Sequence, residues 1–461
     1  MTDARPWFSG SKALVVGVAR SGIAAARLLK RHGAEVRAID RRKADELGQA
    51  AAELEAMGAE ALLGTMDARA LEGRDLVVTS PGVPLDLPLF REAERRGIPV
   101  LAEVEIGFAV ARAPIAAVTG TNGKSTTVEL LGAMGRAAGR RTEVLGNIGL
   151  ALSERADEVP EDGLLVVEIS SFQLEACARF RPRVGVLLNV TPDHLDRHGT
   201  IERYAEIKAR LFARQTEDDF RVQPLADGRI TALLRAMRSK PLWFGFTDPT
   251  GDGVWEAGGA LRYRFAGDQG TLLRRDEATL PGPHNTENMA AAAAAGLAVG
   301  LPPRAIASAL RDFRGLPHRL AAVAEIDGVR YVNDSKSTNV DSLKRALESY
   351  IAPITLIAGG RDKNGDFEAI RPLVMERVRR AVLVGEAAAK LQRSWPDLSV
   401  RRAATLEEAV AIAAEETPAG GLVLLSPGCA SYDMFRNFEE RGARFEAAVL
   451  ERKRSREKVK R

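Results

Sequence analysis

An α/β chain of several domains, with parallel sheets wrapped by helices, is what this sequence predicts, and three observations predict it. Strand-then-helix units recur along the whole length. The 461 residues exceed what one core organises, since a domain usually holds about 100–200. Glycine-rich turns stand where apolar runs end and helical periodicity begins. Composition agrees: 45% hydrophobic and 28% charged residues describe a globular protein. No run of about 18 apolar residues offers a membrane span, so no membrane insertion is expected. The start, Met1-Thr2-Asp3-Ala4-Arg5-Pro6, holds an acid and a proline and does not read as a secretory leader. Cys177 and Cys429 are too few for a disulfide framework; they fit core thiols of a cytoplasmic protein. The net charge of +4 collects in the tail Arg452-Lys453-Arg454 to Lys460-Arg461, read as a solvated terminus. No nucleic-acid partner is expected.

The elements follow in three blocks. The first opens with Ala13-Leu14-Val15-Val16, turns at Gly17, and continues into a helical stretch over 23–31 that stops at Gly33; a second strand over 35–39 ends at Asp40. The second begins after Arg112-Ala113-Pro114 with a strand over 115–118, followed by apolar strands over 164–167 and 184–190. Residues 220–280, with Gly-Asp turns and alternation at Leu261, Tyr263 and Phe265, read as a small β insertion. The third follows Gly315-Leu316-Pro317, with strands near 329–332, 354–358, 381–384 and 422–425. The expected domains are therefore 1–110, 111–315 and 316–461. The alanines of 290–295 are helix formers with no function to read from them.

Two turns carry phosphate chemistry. Gly17-Val18-Ala19-Arg20-Ser21-Gly22, with Asp40 following 18 residues later, has the strand, turn and helix of a phosphate cradle and an acid placed for ribose hydroxyls. Ala19 stands where a pyrophosphate needs a second close-approach glycine, so a nucleotide other than NAD fits better; a purely structural turn is the alternative. The stronger signal is Thr119-Gly120-Thr121-Asn122-Gly123-Lys124-Ser125-Thr126 between an apolar run and a helix. Its backbone N–H groups and Lys124 can hold triphosphate oxygens, and the hydroxyl of Ser125 can reach Mg²⁺. Val118 occupies the place of the usual first glycine, which makes the loop a variant. Glu168 closes a strand of the same block, as a Mg²⁺ ligand should. His194, one of five histidines, follows the next strand beside Asp193 and suits a metal or a substrate.

These motifs, with Glu168-Ile169-Ser170-Ser171-Phe172-Gln173, Asn189-Val190-Thr191-Pro192-Asp193-His194-Leu195-Asp196 and Gly282-Pro283-His284-Asn285, resemble the Mur ligases, which build the peptide of bacterial peptidoglycan. Folylpolyglutamate synthase shares only the loop and the layout. The third block, through Asn333-Asp334-Ser335-Lys336-Ser337-Thr338-Asn339, Gly359-Gly360-Arg361-Asp362-Lys363 and Leu425 to Gly442, resembles the D-glutamate-adding branch. The resemblance departs at Val222-Gln223-Pro224-Leu225-Ala226-Asp227, where the family commonly reads Asn-Ala-Asp-Asp.

The resemblance implies a Rossmann-like N-terminal domain, a central P-loop ATPase-type α/β domain and a Rossmann-like C-terminal domain. It implies an ATP-dependent ligase, a monomer, joining D-glutamate to UDP-N-acetylmuramoyl-L-alanine through an acyl phosphate. It assigns catalysis to Lys124, Glu168, His194, Lys208 and Lys336. Ser21, Asp40, Arg42, Asn147 and His194 would hold the UDP substrate; Gly120 to Thr126, Asn285, His318, Arg319 and Asp334 would surround ATP. Lys336, Thr338, Lys363, Ser431 and Phe438 would take D-glutamate. Ser125, Glu168, His194 and a carbamylated Lys208 would hold two Mg²⁺ ions; a solvated helix lysine is the plain alternative for Lys208. An NAD oxidoreductase would need the first turn as its working site, against Ala19 and the separate ATP loop. A nucleotide switch without chemistry would leave Lys336, Lys363 and Arg319 unexplained.

Overall fold

The computed structural model describes residues 5–351 and 353–459; the expectations for residues 1–4 and 460–461 lie outside the described residues. One compact unit runs to Ala278 and includes Glu287–Asp312; a second holds Thr279–Thr286 and the chain from Phe313 onward.

The first unit contains two sheets. Strands β1 (Lys12–Val16), β2 (Glu35–Asp40), β3 (Glu60–Leu63), β4 (Leu76–Thr79) and β5 (Val100–Ala102) form a parallel sheet in the order β3-β2-β1-β4-β5. The order reverses at β1, and a ligand cleft opens at such a switch point beyond the strands' carboxyl ends. The second sheet has β6 (Ile115–Thr119), β7 (Thr142–Gly146), β8 (Leu164–Glu168), β9 (Val184–Leu187), β10 (Phe220–Pro224), β11 (Lys240–Gly245), β12 (Gly253–Ala257), β13 (Ala260–Phe265) and β14 (Asp268–Arg274). Its order is β14-β13-β12-β11-β10-β9-β6-β8-β7, so β6, which feeds the phosphate loop, has β9 and β8 as neighbours. Residues of β6, β8 and β9 are buried throughout, as strands covered on both faces must be. The β-rich stretch over 220–280 joins the edge of this sheet: β10 to β12 are parallel, and β12 to β14 close it as an antiparallel meander. The six alanines 290–295 of helix Pro283–Ala298 are each fully buried. Their small side chains let that helix lie close to its neighbours.

Two buried glutamates of helix Glu103–Val110 tie the first sheet's segment to the second. Glu105 Oε1 accepts the backbone N–H groups of Ala178, Arg179 and Phe180 at 2.7–2.8 Å. Glu103 Oε1 accepts Ser153 N at 2.7 Å and Ser153 Oγ at 2.6 Å. A buried carboxylate is tolerable only with donors of this kind.

The second unit holds a six-stranded sheet of β15 (Ala321–Ile326), β16 (Val329–Asn333), β17 (Ile354–Gly359), β18 (Val378–Val384), β19 (Ser399–Arg402) and β20 (Leu422–Leu425), in the order β15-β16-β20-β17-β18-β19. Only the β15 and β16 pair is antiparallel.

Candidate active site

The phosphate loop is built by glycines and fastened by side chains. Gly120 (φ 152°) and Gly123 (φ 89°) adopt backbone that favours glycine, and Gly123 caps helix Lys124–Ala137. A Cβ on Gly123 would lie 2.2 Å from Asn288 Oδ1, and one on Gly120 3.0 Å from Leu188 Cβ. Asn189 staples the loop from the other side: its Oδ1 accepts Asn122 N at 2.9 Å and its Nδ2 donates to Asn122 O at 3.1 Å. The apolar run over 184–190 stops being strand at Leu187, and Leu188 and Asn189 bond to the loop instead, through Thr119 O, Thr121 N and Asn122.

Two lysines converge on one carbonyl. Lys124 Nζ donates to Gly120 O at 2.9 Å and to Thr121 O at 2.8 Å, and Lys208 Nζ donates to the same Gly120 O at 2.9 Å. Lys208, on helix Ile201–Ala209, is 1% exposed, and its ammonium stands 4.3 Å from the Tyr204 ring centre. Burial, with the Lys124 charge beside it, pushes the Lys208 ammonium far below its ordinary value. Glu168, at the end of β8, accepts Asn147 Nδ2 on Oε1 at 2.8 Å, while its buried Oε2 has no hydrogen-bond partner. The buried Thr126 Oγ1 also has none. His194 sits in the left-handed region (φ 53°), unusual for a residue with a side chain, and its ring meets Phe172 edge-on at 4.9 Å.

Among the described residues, no group of three or more His, Cys, Asp or Glu side chains could hold a metal ion unaided. The donors instead suit a Mg²⁺ that takes most of its ligands from phosphate and water. The unpartnered Glu168 oxygen and the glycine cradle beside it fit that arrangement.

Ser21, Asp40, Arg42 and Asn147 line one cavity of about 860 Å³ with Ser80, Met66 and Gln173, at the switch point of the first sheet. Gly17 and Gly22 are glycines for packing: a Cβ on Gly22 would lie 1.9 Å from Gly17 O, and one on Gly17 2.8 Å from Val83. Ala19 precedes helix Arg20–Arg31 in extended backbone and needs no glycine. Asp40 is spent locally, accepting Val18 N at 2.7 Å, Arg42 N at 2.9 Å and the Arg42 guanidinium at 3.0–3.1 Å. Burial pushes its carboxyl up, but these donors outweigh it and hold the group below its ordinary value. The carboxylate thus fixes the turn and aims Arg42. His194, expected with these four, is absent from the cavity's lining.

In the second unit, Lys336 Nζ lies 3.8 Å from the Phe438 ring centre, so these two expected partners meet. Ser335 Oγ donates to Phe438 O at 2.8 Å, and the buried Arg441 reaches Ser335 O at 2.7 Å and Cys429 O at 3.1 Å. Arg361 and Ala430 exchange backbone hydrogen bonds, which joins the exposed loop of Lys363 to the loop of buried Ser431. Thr338 is half-buried just before helix Val340–Glu348. Asp334 accepts Ser426 Oγ at 2.8 Å and Leu320 N at 3.2 Å; burial pushes its carboxyl up to about 7. His318 (φ 60°) and Leu320 (φ 47°) flank Arg319 in backbone that side chains disfavour. Asn285 Nδ2 donates to Pro281 O at 2.7 Å.

Models of three domains match along the chain: the Mur ligase MurD-like N-terminal domain at 11–102, the Mur ligase middle domain at 118–296 and the Mur ligase glutamate ligase domain at 318–429. A relative from Pelotomaculum thermopropionicum, a UDP-N-acetylmuramoylalanine–D-glutamate ligase, is 45% identical over 96% of this chain and 98% of its own. One of the same name from Geotalea daltonii is 43% identical over 95% of this chain and 97% of its own. This chain belongs to the Mur ligase family. Its fold is that of solved Mur ligase structures: MurF from Thermotoga maritima in complex with ADP aligns at TM-score 0.59 and 16% identity, covering 98% of this chain and all of that one. A pseudomurein peptide ligase type C from Methanothermus fervidus aligns at TM-score 0.63 and 17% identity, covering 95% of this chain and all of that one.

Several residues of this Mur ligase escaped the sequence reading. Asn288 presses on the phosphate loop, Tyr204 lies against Lys208, and His198 and Arg441 are buried polar hubs. Only spacing could have revealed Tyr204, which stands one helical turn before Lys208.

Proposed function

We propose that this chain joins D-glutamate to the L-alanine carboxyl of UDP-N-acetylmuramoyl-L-alanine, using ATP, in the synthesis of peptidoglycan precursor. The observation that carries the reading is near-complete coverage at 45% and 43% identity by relatives named for that reaction. Physical chemistry supports the route. A carboxylate is a poor electrophile at neutral pH; when its oxygen attacks the γ-phosphorus, the bond to the β-phosphate oxygen breaks and ADP leaves. The D-glutamate amine then attacks the acyl carbon, phosphate departs, and the ammonium loses a proton. Lys124 and the N–H groups of 120–126 neutralise the migrating charge, a role that grows in a site from which water is excluded.

Ser125, Glu168, His194 and the carbamate of Lys208 would hold two Mg²⁺ ions, which when bound polarise the phosphate oxygens and screen their charge. The Lys208 carbamate is favoured by two features. Burial lowers the ammonium's pKa and so favours the neutral amine, the form that takes up CO₂. The Lys124 ammonium on the same Gly120 carbonyl disfavours a second positive charge beside it, whereas a carbamate would place an anion facing Lys124. Ser21, Asp40, Arg42, Asn147 and His194 are assigned to the UDP substrate, with Asn147 linking its cavity to Glu168. Gly120 to Thr126, Asn285, His318, Arg319 and Asp334 are assigned to ATP. Lys336, Thr338, Lys363, Ser431 and Phe438 are assigned to D-glutamate. Domains 1–110, 111–315 and 316–461, a monomeric state and a cytoplasmic location complete the reading. Phosphate release with D-glutamate, L-glutamate, L-lysine and glycine as acceptors tests it; preference for any but the first overturns the amino-acid assignment and leaves the acyl phosphate standing.

A further inference from the structure

His198 belongs to no substrate set above, yet it is a buried polar ring in contact with Tyr204 and Phe172. Its side chain is fully buried. Nε2 lies 3.0 Å from Ser171 Oγ, and Nδ1 lies 3.2 Å from Glu175 Oε1. The Nε2 contact with the serine hydroxyl is a hydrogen bond, whereas Nδ1 meets Glu175 at ion-pair distance without hydrogen-bond geometry. Glu175 is itself fixed by Arg197, and Arg197 lies over the Phe172 ring at 4.7 Å.

With its edge pinned, the imidazole offers two faces. It stacks on Tyr204 at 5.1 Å and 26°, and it lies against Phe172 at 5.5 Å and 30°. Each of these rings touches one of the residues assigned to metal and phosphate: Tyr204 faces the Lys208 ammonium at 4.3 Å, and Phe172 meets the His194 ring at 4.9 Å. His194 caps the short helix Leu195–His198, and Lys208 lies on helix Ile201–Ala209 two residues further on, so backbone carries both in one stretch but leaves the direction of their side chains open. The ring contacts supply a side-chain link between the two ends of that stretch.

We propose that His198 is a positioning residue, a stacked spacer that sets Lys208 and His194 in register through Tyr204 and Phe172. The proposal rests on the assignment of those two residues to the reaction. A displacement of about 1 Å at reacting groups costs about 100-fold in rate, while the lining of the cavity of Ser21 and Asp40, which includes neither His194 nor His198, keeps its own contacts.

The test compares His198→Phe and His198→Tyr, which keep a planar ring, with His198→Gln and His198→Ala, which do not. In the full-length enzyme, kcat with all three substrates, KM for each, calorimetric affinity for the UDP substrate and the thermal midpoint are measured. Aromatic variants are expected within about fivefold of the parent in kcat, and the other two are expected to lose about 30- to 100-fold in kcat at an unchanged KM for D-glutamate. If His198→Ala fails to fold, the Phe and Gln variants decide. Equal kcat in Phe and Gln variants overturns the proposal, as does a loss confined to KM or a loss that follows the thermal midpoint alone. A separate arm supplies ¹³C-bicarbonate to the parent and to Lys208→Ala: a carbamate signal absent from both sinks the carbamylation reading and leaves the aromatic ranking to judge His198.

Discussion

Replacing Gly123 by alanine isolates the close approach that shapes the phosphate loop. The position has φ 89°, where an L side chain costs about 1–2 kcal/mol. The new Cβ would also lie 2.2 Å from Asn288 Oδ1, inside the 3.0 Å that real Cβ atoms keep, so loop and asparagine must separate by about 1 Å. Gly139 supplies the control. It follows the same helix at φ 76° with nothing within 4 Å of an added Cβ, so it carries the backbone cost alone. Both variants should lose a few degrees of thermal midpoint. Only Gly123→Ala should lose about 100-fold in kcat/KM for ATP, about 2.7 kcal/mol of transition-state stabilisation. Phosphate release under saturating UDP substrate and D-glutamate measures it. Should Gly123→Ala stay within threefold of Gly139→Ala, the loop tolerates the displacement and the argument from close approach is wrong.

Lys124→Ala should abolish phosphate release while calorimetric affinity for the UDP substrate holds, because the cavity of Ser21, Asp40 and Arg42 does not include Lys124; lost affinity would unite two sites kept apart here. Lys208→Ala should be inactive and partly restored by acetate, which supplies the missing anion; normal turnover makes the lysine structural. Lys363→Ala should raise the D-glutamate KM about tenfold with little change for ATP, a modest figure because the side chain is exposed; equal changes in both constants would remove it from the amino-acid site. Asp334 bears on pH. Its folded value of about 7 lies above the unfolded one near 4, so the stability of the second unit is full below pH 4 and falls as pH rises through 7. Asp334→Asn should flatten that fall in melting curves from pH 4 to 8, and an unchanged slope refutes the link.

The sequence was most legible where one physical cause dominates. Apolar runs buried on both faces announced β1, β6, β8, β16, β17 and β20 to within a residue or two, and the loop at 119–126 announced itself because its chemistry is local. Strand β15 did not: its alanines carry little strand propensity, and pairing with β16 at the sheet edge decides its conformation. The first helix starts at Arg20, earlier than its apolar periodicity, because Ala19 and Arg20 already adopt the geometry of a helix start. Site residues that act through others were invisible for the same reason. Nothing in Leu195-Asp196-Arg197-His198 tells that the last ring will be sandwiched between side chains 26 positions earlier and 6 positions later. Asp40 was legible as a position at the cavity, but the local contacts of its oxygens with Val18 and Arg42 were not.

The capture of Glu105 by the backbone of Ala178, Arg179 and Phe180 limits how this chain's modules can be exchanged. Apolar seams between domains forgive small mismatches, because one hydrocarbon contact substitutes for another. A carboxylate aimed at three amide hydrogens does not, since it needs a short loop of fixed curvature on the receiving side. A chimaera that grafts a foreign first sheet onto this chain must therefore bring the matching three-residue loop with it, or strand a charge in the seam.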